Sequence, residues 1–185
     1  NGPTFTLTIN GSGFEAQSTA TWTAATPTNL ATTWLGPSQL QAVVPSSLLT
    51  TATICTVGVV NPAPGGGLST LPFPVNNPTP ALASVTPWAF FTGSSATSLT
   101  IIGSGFVPGS QVLWNSGVLA TTFGNAGQLT AAVPASLLAI AGSVTVQVQN
   151  PGPGGGFSSG LTLSIVNAVP VLASAVETRD MRQIL

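Results

Sequence analysis

Leu99-Thr100-Ile101-Ile102-Gly103-Ser104-Gly105-Phe106 is an alternating run of apolar and hydroxyl residues that ends in a Gly-Ser-Gly bend. Successive side chains of a strand point to opposite faces, so a period of two marks a strand with one buried face. The run has an earlier copy, Leu7-Thr8-Ile9-Asn10-Gly11-Ser12-Gly13-Phe14, offset by 92 residues. Trp22 recurs as Trp114 at the same offset. Gln39-Leu40, Val44-Pro45 and Ser47-Leu48-Leu49 recur as Gln128-Leu129, Val133-Pro134 and Ser136-Leu137-Leu138, now offset by 89. Asn61-Pro62-Ala63-Pro64-Gly65-Gly66-Gly67 recurs as Asn150-Pro151-Gly152-Pro153-Gly154-Gly155-Gly156. Conserved order with small changes in spacing indicates a tandem duplication of a unit of about 90 residues, the size of one small domain.

Working outward, each unit reads as short strands between Gly/Pro turns. Phe5, Leu7 and Ile9 share a face, and their counterparts are Thr97, Leu99 and Ile101. Ala20 and Trp22, like Val112 and Trp114, continue the inward set. Leu129, Ala131 and Val133, then Val144, Val146 and Val148, then Leu161, Leu163 and Ile165 supply further alternating segments. About six or seven such strands per unit, with no amphipathic helix, imply an all-β fold of two tandem β-sandwich domains. Only Pro45–Leu49 and Pro134–Ala139 could make a helical turn. Gly65–Gly67 and Gly154–Gly156 have no strand-to-helix context for a phosphate loop and are expected to be hairpin turns.

Composition removes most chemistry. The 185 residues hold two Arg, no Lys, three acids and no His, for a net charge of −1. Two Arg cannot form the basic patch that nucleic acid requires. Neither a zinc cluster nor a calcium loop can be assembled from so few ligands, and without His there is no Ser-His-Asp or Cys-His arrangement. Catalytic residues, cofactors and metals are therefore all expected to be none. The apolar stretch Leu129–Val148 is broken by Pro134, Gly142 and polar residues, so no membrane span is expected. A mean hydropathy of +0.50 argues against disorder. The surface must instead be made of Thr, Ser, Asn and Gln.

Single residues carry less. Cys55 aligns with Val144 and reads as a small buried hydrophobe; a lone cysteine cannot form a disulfide within the chain. Trp22 and Trp114 read as core residues. Trp34 aligns with Phe123, and an aromatic kept in both units reads first as packing. Trp88 has no counterpart. Asn10-Gly11-Ser12 fits the glycosylation pattern, but its counterpart begins with Ile102, and the match is read as chance.

Leu-Thr-Ile-x-Gly-Ser-Gly-Phe, Val112-Leu113-Trp114-Asn115, the Gln-Leu-x-Ala-x-Val-Pro strings at Gln39–Pro45 and Gln128–Pro134, and Asn-Pro-x-Pro-Gly-Gly-Gly together resemble the bacterial IPT/TIG domain family. The resemblance occurs twice and spans nearly the whole chain. It implies an immunoglobulin-like fold, found as tandem arrays in large secreted or surface-anchored bacterial proteins, where such modules act as spacers, stalks or adhesive segments. Family members in transcription factors bind DNA through basic loops that this chain lacks. Plexin-type members accompany disulfide-rich modules that are also absent here, and some starch-acting enzymes carry a similar module beside the catalytic domain. No catalytic residue carries over.

The repeats are out of phase with the chain. The second unit has a lead-in, Ala81-Leu82-Ala83-Ser84-Val85-Thr86-Pro87, after the Pro-stiffened linker Asn76–Pro80. No equivalent precedes Phe5, yet a copy follows the second unit as Val169-Pro170-Val171-Leu172-Ala173-Ser174-Ala175-Val176. The expected division is a first domain over residues 1–76, a second over 77–167, and a spare strand with a charged tail over 168–185, possible start of a third repeat. The chain can be a segment of a longer array. Alternatively, Val171, Leu172, Ala173, Ser174, Ala175 and Val176 donate a strand to a second copy, giving a head-to-tail filament. The expected role is a non-catalytic extracellular structural or adhesive repeat at the cell surface. Its partners would be further copies or neighbouring immunoglobulin-like repeats, with surface glycans as a further option and no nucleic acid. The rival is a carbohydrate-binding or spacer module attached to a secreted enzyme, with Trp34, Trp88, Phe90 and Phe91 as stacking candidates.

Overall fold

The computed structural model describes residues 2–174. Seven strands form the first unit: β1 (Phe5–Asn10), β2 (Thr19–Thr23), β3 (Pro27–Asn29), β4 (Ala31–Gly36), β5 (Gln39–Val44), β6 (Thr53–Val60) and β7 (Leu68–Val75). The second unit adds β8 (Ala81–Thr86), β9 (Ala89–Phe91), β10 (Thr97–Ser104), β11 (Gln111–Trp114), β12 (Gly117–Val118), β13 (Ala120–Asn125), β14 (Gln128–Val133), β15 (Gly142–Asn150), β16 (Gly156–Phe157) and β17 (Leu161–Val166). The two expected helical turns are single 3-10 turns, Ser46–Leu49 and Ala135–Leu138, each begun by a proline whose fixed φ suits a first helical turn.

Each unit is two sheets face to face. In the second unit one sheet runs β13-β14-β10-β8 and the other β12-β11-β15-β17-β9. In the first unit the corresponding sheets are β1-β5-β4 and β3-β2-β6-β7. The chain is thus two immunoglobulin-like β-sandwiches in tandem, each with its own core. Antiparallel pairing of β10 with β14 sets Leu99 opposite Ala131 and Ile101 opposite Leu129, and all four are buried. The matching register of β1 with β5 sets Leu7 opposite Ala42 and Ile9 opposite Leu40. Here Ala42 and Leu40 are buried, while Leu7 and Ile9 are only half-buried.

Trp22 and Trp114 sit in the two cores at 1% and 5% exposure, as their place on alternating strands implies. Their aromatic neighbours come from different places. Trp114 meets Phe90 of β9 at 5.9 Å between ring centres. Trp22 meets Phe73 of β7 at 5.3 Å, and Phe73 stacks on Phe5 of β1 at 6.1 Å. Phe5 is the residue that Thr97 replaces in the second unit. The first sandwich therefore draws from its own strands the aromatic bulk that β9 supplies to the second.

Candidate functional site: an interdomain joint and an open sheet edge

The linker between the units is held on the second unit by main-chain and amide hydrogen bonds. Asn77 N donates to Pro153 O at 2.8 Å, and Gly155 N donates to Asn77 O at 2.9 Å. Asn77 Nδ2 donates to Pro151 O at 2.9 Å, and Thr79 Oγ1 to Gly155 O at 3.1 Å. From the other side, Asn150 Nδ2 reaches Pro78 O at 2.9 Å and Gly105 O at 2.7 Å, while its Oδ1 accepts from Ser110 Oγ at 2.6 Å. Asn150 is buried, so its amide is fully engaged where a lone polar group would be costly. The loop expected to be only a hairpin turn is therefore also the grip on the linker. Gly154 and Gly155 have positive φ, and a Cβ on either would collide with Asn76, Asn77 or the Asn150 and Pro151 carbonyls. A cleft of about 810 Å³ lies between the units, with Asn76, Asn77 and Pro78 along it. The joint is thus carried by the linker's bonds.

The lead-in strand completes the second sandwich. β8 pairs antiparallel with β10, Leu82 opposite Gly103 and Val85 opposite Ile101, with a bulge between Ile102 and Gly103. The bulge lets both Leu82 and Val85 face inward, and both are buried. A Cβ on Gly103 would overlap the Ala81 carbonyl and the Phe106 ring, and one on Gly105 would stand 3.1 Å from Thr79 O. Those two glycines let the incoming backbone approach closely.

The first unit repeats this machinery without an incoming strand among the described residues. β1 and β7 each lie at the edge of their sheet. Between them runs a groove of about 460 Å³ whose lining includes Leu7, Ile9, Phe14, Val57, Val59 and Phe73. Asn61 Nδ2 donates to Gly13 O at 2.6 Å and its Oδ1 accepts from Ser18 Oγ at 2.6 Å, the counterparts of two of the three Asn150 bonds.

The residues singled out from sequence fall in separate places. Val171, Leu172, Ala173 and Ser174 are exposed and carry no strand in the single chain, with Leu172 at 84%. Ala175 and Val176 lie outside the described residues. Trp34 on β4 is 42% exposed, with its Nε1 donating to Phe14 O at 3.4 Å; Phe123 is similarly exposed. Both lie opposite the buried Leu40 and Leu129 and so share the core-facing side, but β4 and β13 are edge strands and leave them partly uncovered. Trp88 is 74% exposed in the other unit, and Phe90 is buried in the core, so the four aromatics do not form one row. Sequence reasoning missed Asn150 and Asn77; the signal was Asn-Pro at the start of both Gly-rich loops and again at the linker.

Cys55 is fully buried. Burial pushes its thiol above the usual range, and the neighbouring Trp22 indole opposes this only in part. The folded chain therefore holds the thiol proton to higher pH than the unfolded chain does. That stability is present below about pH 8.5 and is lost as pH rises toward the folded pKa. Cys55→Val, the residue found at 144, should change stability by less than about 1.5 kcal/mol at pH 7 and flatten the alkaline loss. Urea unfolding at neutral and alkaline pH measures both.

Residues 80–165 match the family model of the IPT/TIG domain. No curated protein matches the chain. Among solved structures it is similar to murine CEACAM1b, at 16% identity and a TM-score of 0.35, covering 80% of this chain and 85% of that one. It is also similar to the amphioxus IgVJ-C2 molecule, at 12% identity and a TM-score of 0.42, covering 89% of this chain and 97% of that one. The segment 80–165, with the strand order and Gly-Ser-Gly bend described above, is thus similar to an IPT/TIG domain.

Proposed function

We propose that the chain is a non-catalytic structural or adhesive repeat module of a bacterial surface or secreted protein. Its work is to hold successive immunoglobulin-like units at a set spacing and angle. The observation that carries this reading is the hydrogen-bonded joint: Asn77 and Asn150 fix the linker to the second unit through four of the bonds described above. A nearly uncharged body suits close association outside the cell, since little like-charge repulsion opposes it. Glu15 is the one charged residue before the tail. In its finer form the role is that of a filament subunit joined head to tail by strand exchange with further copies.

The test is whether the two units keep one relative orientation. Residual dipolar couplings from both units should fit a single alignment tensor. Asn77→Ala removes one amide bond, costs about 1 kcal/mol, and should split the fit into two tensors without changing either core. Independent tensors in the unaltered chain would refute the reading. A second reading, glycan binding, has one observation in its favour: Trp88 is 74% exposed, with Phe91 three residues on at 57%. A glycan panel in which Trp88→Ala abolishes a signal, and Trp34→Ala does not, would select it.

A further inference from the structure

The groove and the Asn61 loop of the first unit form one binding site in two parts, a linker grip and a strand slot. In the second unit the equivalent parts hold Asn77–Thr86 of the same chain. The grip takes Asn77, Pro78 and Thr79, and the slot takes β8. In the first unit, Asn61 makes the bonds to Gly13 and Ser18 that Asn150 makes to Gly105 and Ser110. The third Asn150 bond, to Pro78 O of the linker, has no counterpart among the described residues. The slot likewise keeps its two close-approach glycines. A Cβ on Gly13 would meet nothing within 4 Å, whereas Gly105 is crowded by Thr79 and Pro78 of the incoming chain. Leu7 and Ile9 remain half-buried where Leu99 and Ile101 are fully covered.

The same ten-residue segment occurs once more. Asn167-Ala168-Val169-Pro170-Val171-Leu172-Ala173-Ser174-Ala175-Val176 repeats Asn77-Pro78-Thr79-Pro80-Ala81-Leu82-Ala83-Ser84-Val85-Thr86 with Asn, Pro, Leu, Ala and Ser in place. Val169, Val171 and Leu172 are exposed. We infer that the first unit is an acceptor for residues 167–174 of a second copy of this chain. This deepens the structural-module reading and rests on it. Transferring the β8–β10 register sets Ser174 opposite Asn10, Leu172 opposite Gly11 and Val171 opposite Ser12. Leu172 enters the apolar groove as Leu82 enters the second core, and Asn61 Nδ2 gains the Ala168 carbonyl. Phe5 and Phe73 already occupy the space next to Trp22 that Phe90 fills beside Trp114, so the slot needs the β8-like strand and no β9-like one. Each copy offers one acceptor and one donor on different surfaces, so the contact is heterologous and propagates.

The test uses the full chain at rising concentration, followed by light scattering. Mass should grow with concentration. Leu172→Asp lies in an exposed segment and Gly11→Ala places a methyl against the incoming Val171 carbonyl. Each should raise the concentration of half-association about tenfold or more, with each unit still folded and unfolding cooperatively. In a Cys55→Val background, Asn10→Cys with Ser174→Cys should form an intermolecular disulfide, and Asn10→Cys with Ala173→Cys should not. A chain that stays monomeric, association that survives both substitutions, or cross-linking indifferent to register would overturn the inference. None of these results touches the dipolar-coupling test of the joint, so the two readings fail separately.

Discussion

Gly103→Ala should cost the second unit about 3 kcal/mol, while Gly11→Ala in the first should cost only about 1 kcal/mol. The two glycines occupy equivalent places, yet their surroundings differ. At Gly103 the added methyl would strike a backbone atom, the Ala81 carbonyl, which cannot swing aside without β8 leaving its sheet. Loss of β8 would expose Leu82 and Val85, each worth about 1.5–3 kcal/mol when buried. At Gly11 the methyl meets only the Phe14 ring, which is half-buried and can rotate. Separate denaturant midpoints for the two units, read from domain-specific amide signals, give the comparison. Equal losses in both units would mean that β8 does not depend on close approach at Gly103.

Asn150→Ala is the second large effect. The change deletes three hydrogen bonds and leaves Pro78 O and Gly105 O short of a partner, while Ser110 Oγ keeps its bonds to Val107. A buried polar group stripped of its partner costs about 1–3 kcal/mol, so the sum is about 3 kcal/mol or more. Asn61→Ala removes two bonds at a more exposed place and should cost about 1–2 kcal/mol. The Asn150 change should also loosen the linker, because Pro78 is one of its contacts. The dipolar-coupling fit should then separate into two tensors, as for Asn77→Ala. A stable, rigid Asn150→Ala protein would remove that side chain from the joint.

The sandwich was legible because its strongest signals are local. Period-two alternation at Leu99–Ile101, Leu129–Val133 and Val144–Val148 placed the core face, and the repeat doubled every such observation. Trp22, Trp114 and Cys55 followed from their position on those faces. The three-residue strand β9 was invisible because it has no room for a period and pairs in parallel with β17, 70 residues and more away. Trp34 and Phe123 were legible only in part. Repetition pointed to the core-facing side that they share with Leu40 and Leu129, but not to the edge position of β4 and β13, which leaves both partly exposed. The joint was hidden because Asn-Pro-Gly composition describes a turn equally well whether or not that turn holds something. What separates the cases is which carbonyls the Asn amide can reach, and that depends on a linker about 75 residues away in the chain.

The repeated grip also has a symmetry consequence. If every unit in an array seizes its incoming linker by the same few bonds, neighbouring units are related by one fixed rotation and translation. Repeating a single screw operation generates a helix, whatever the number of units. Pitch would then be encoded in a handful of amide and carbonyl positions around Asn77 and Asn150. A substitution there would change the twist of an entire fibre while leaving each sandwich as it was.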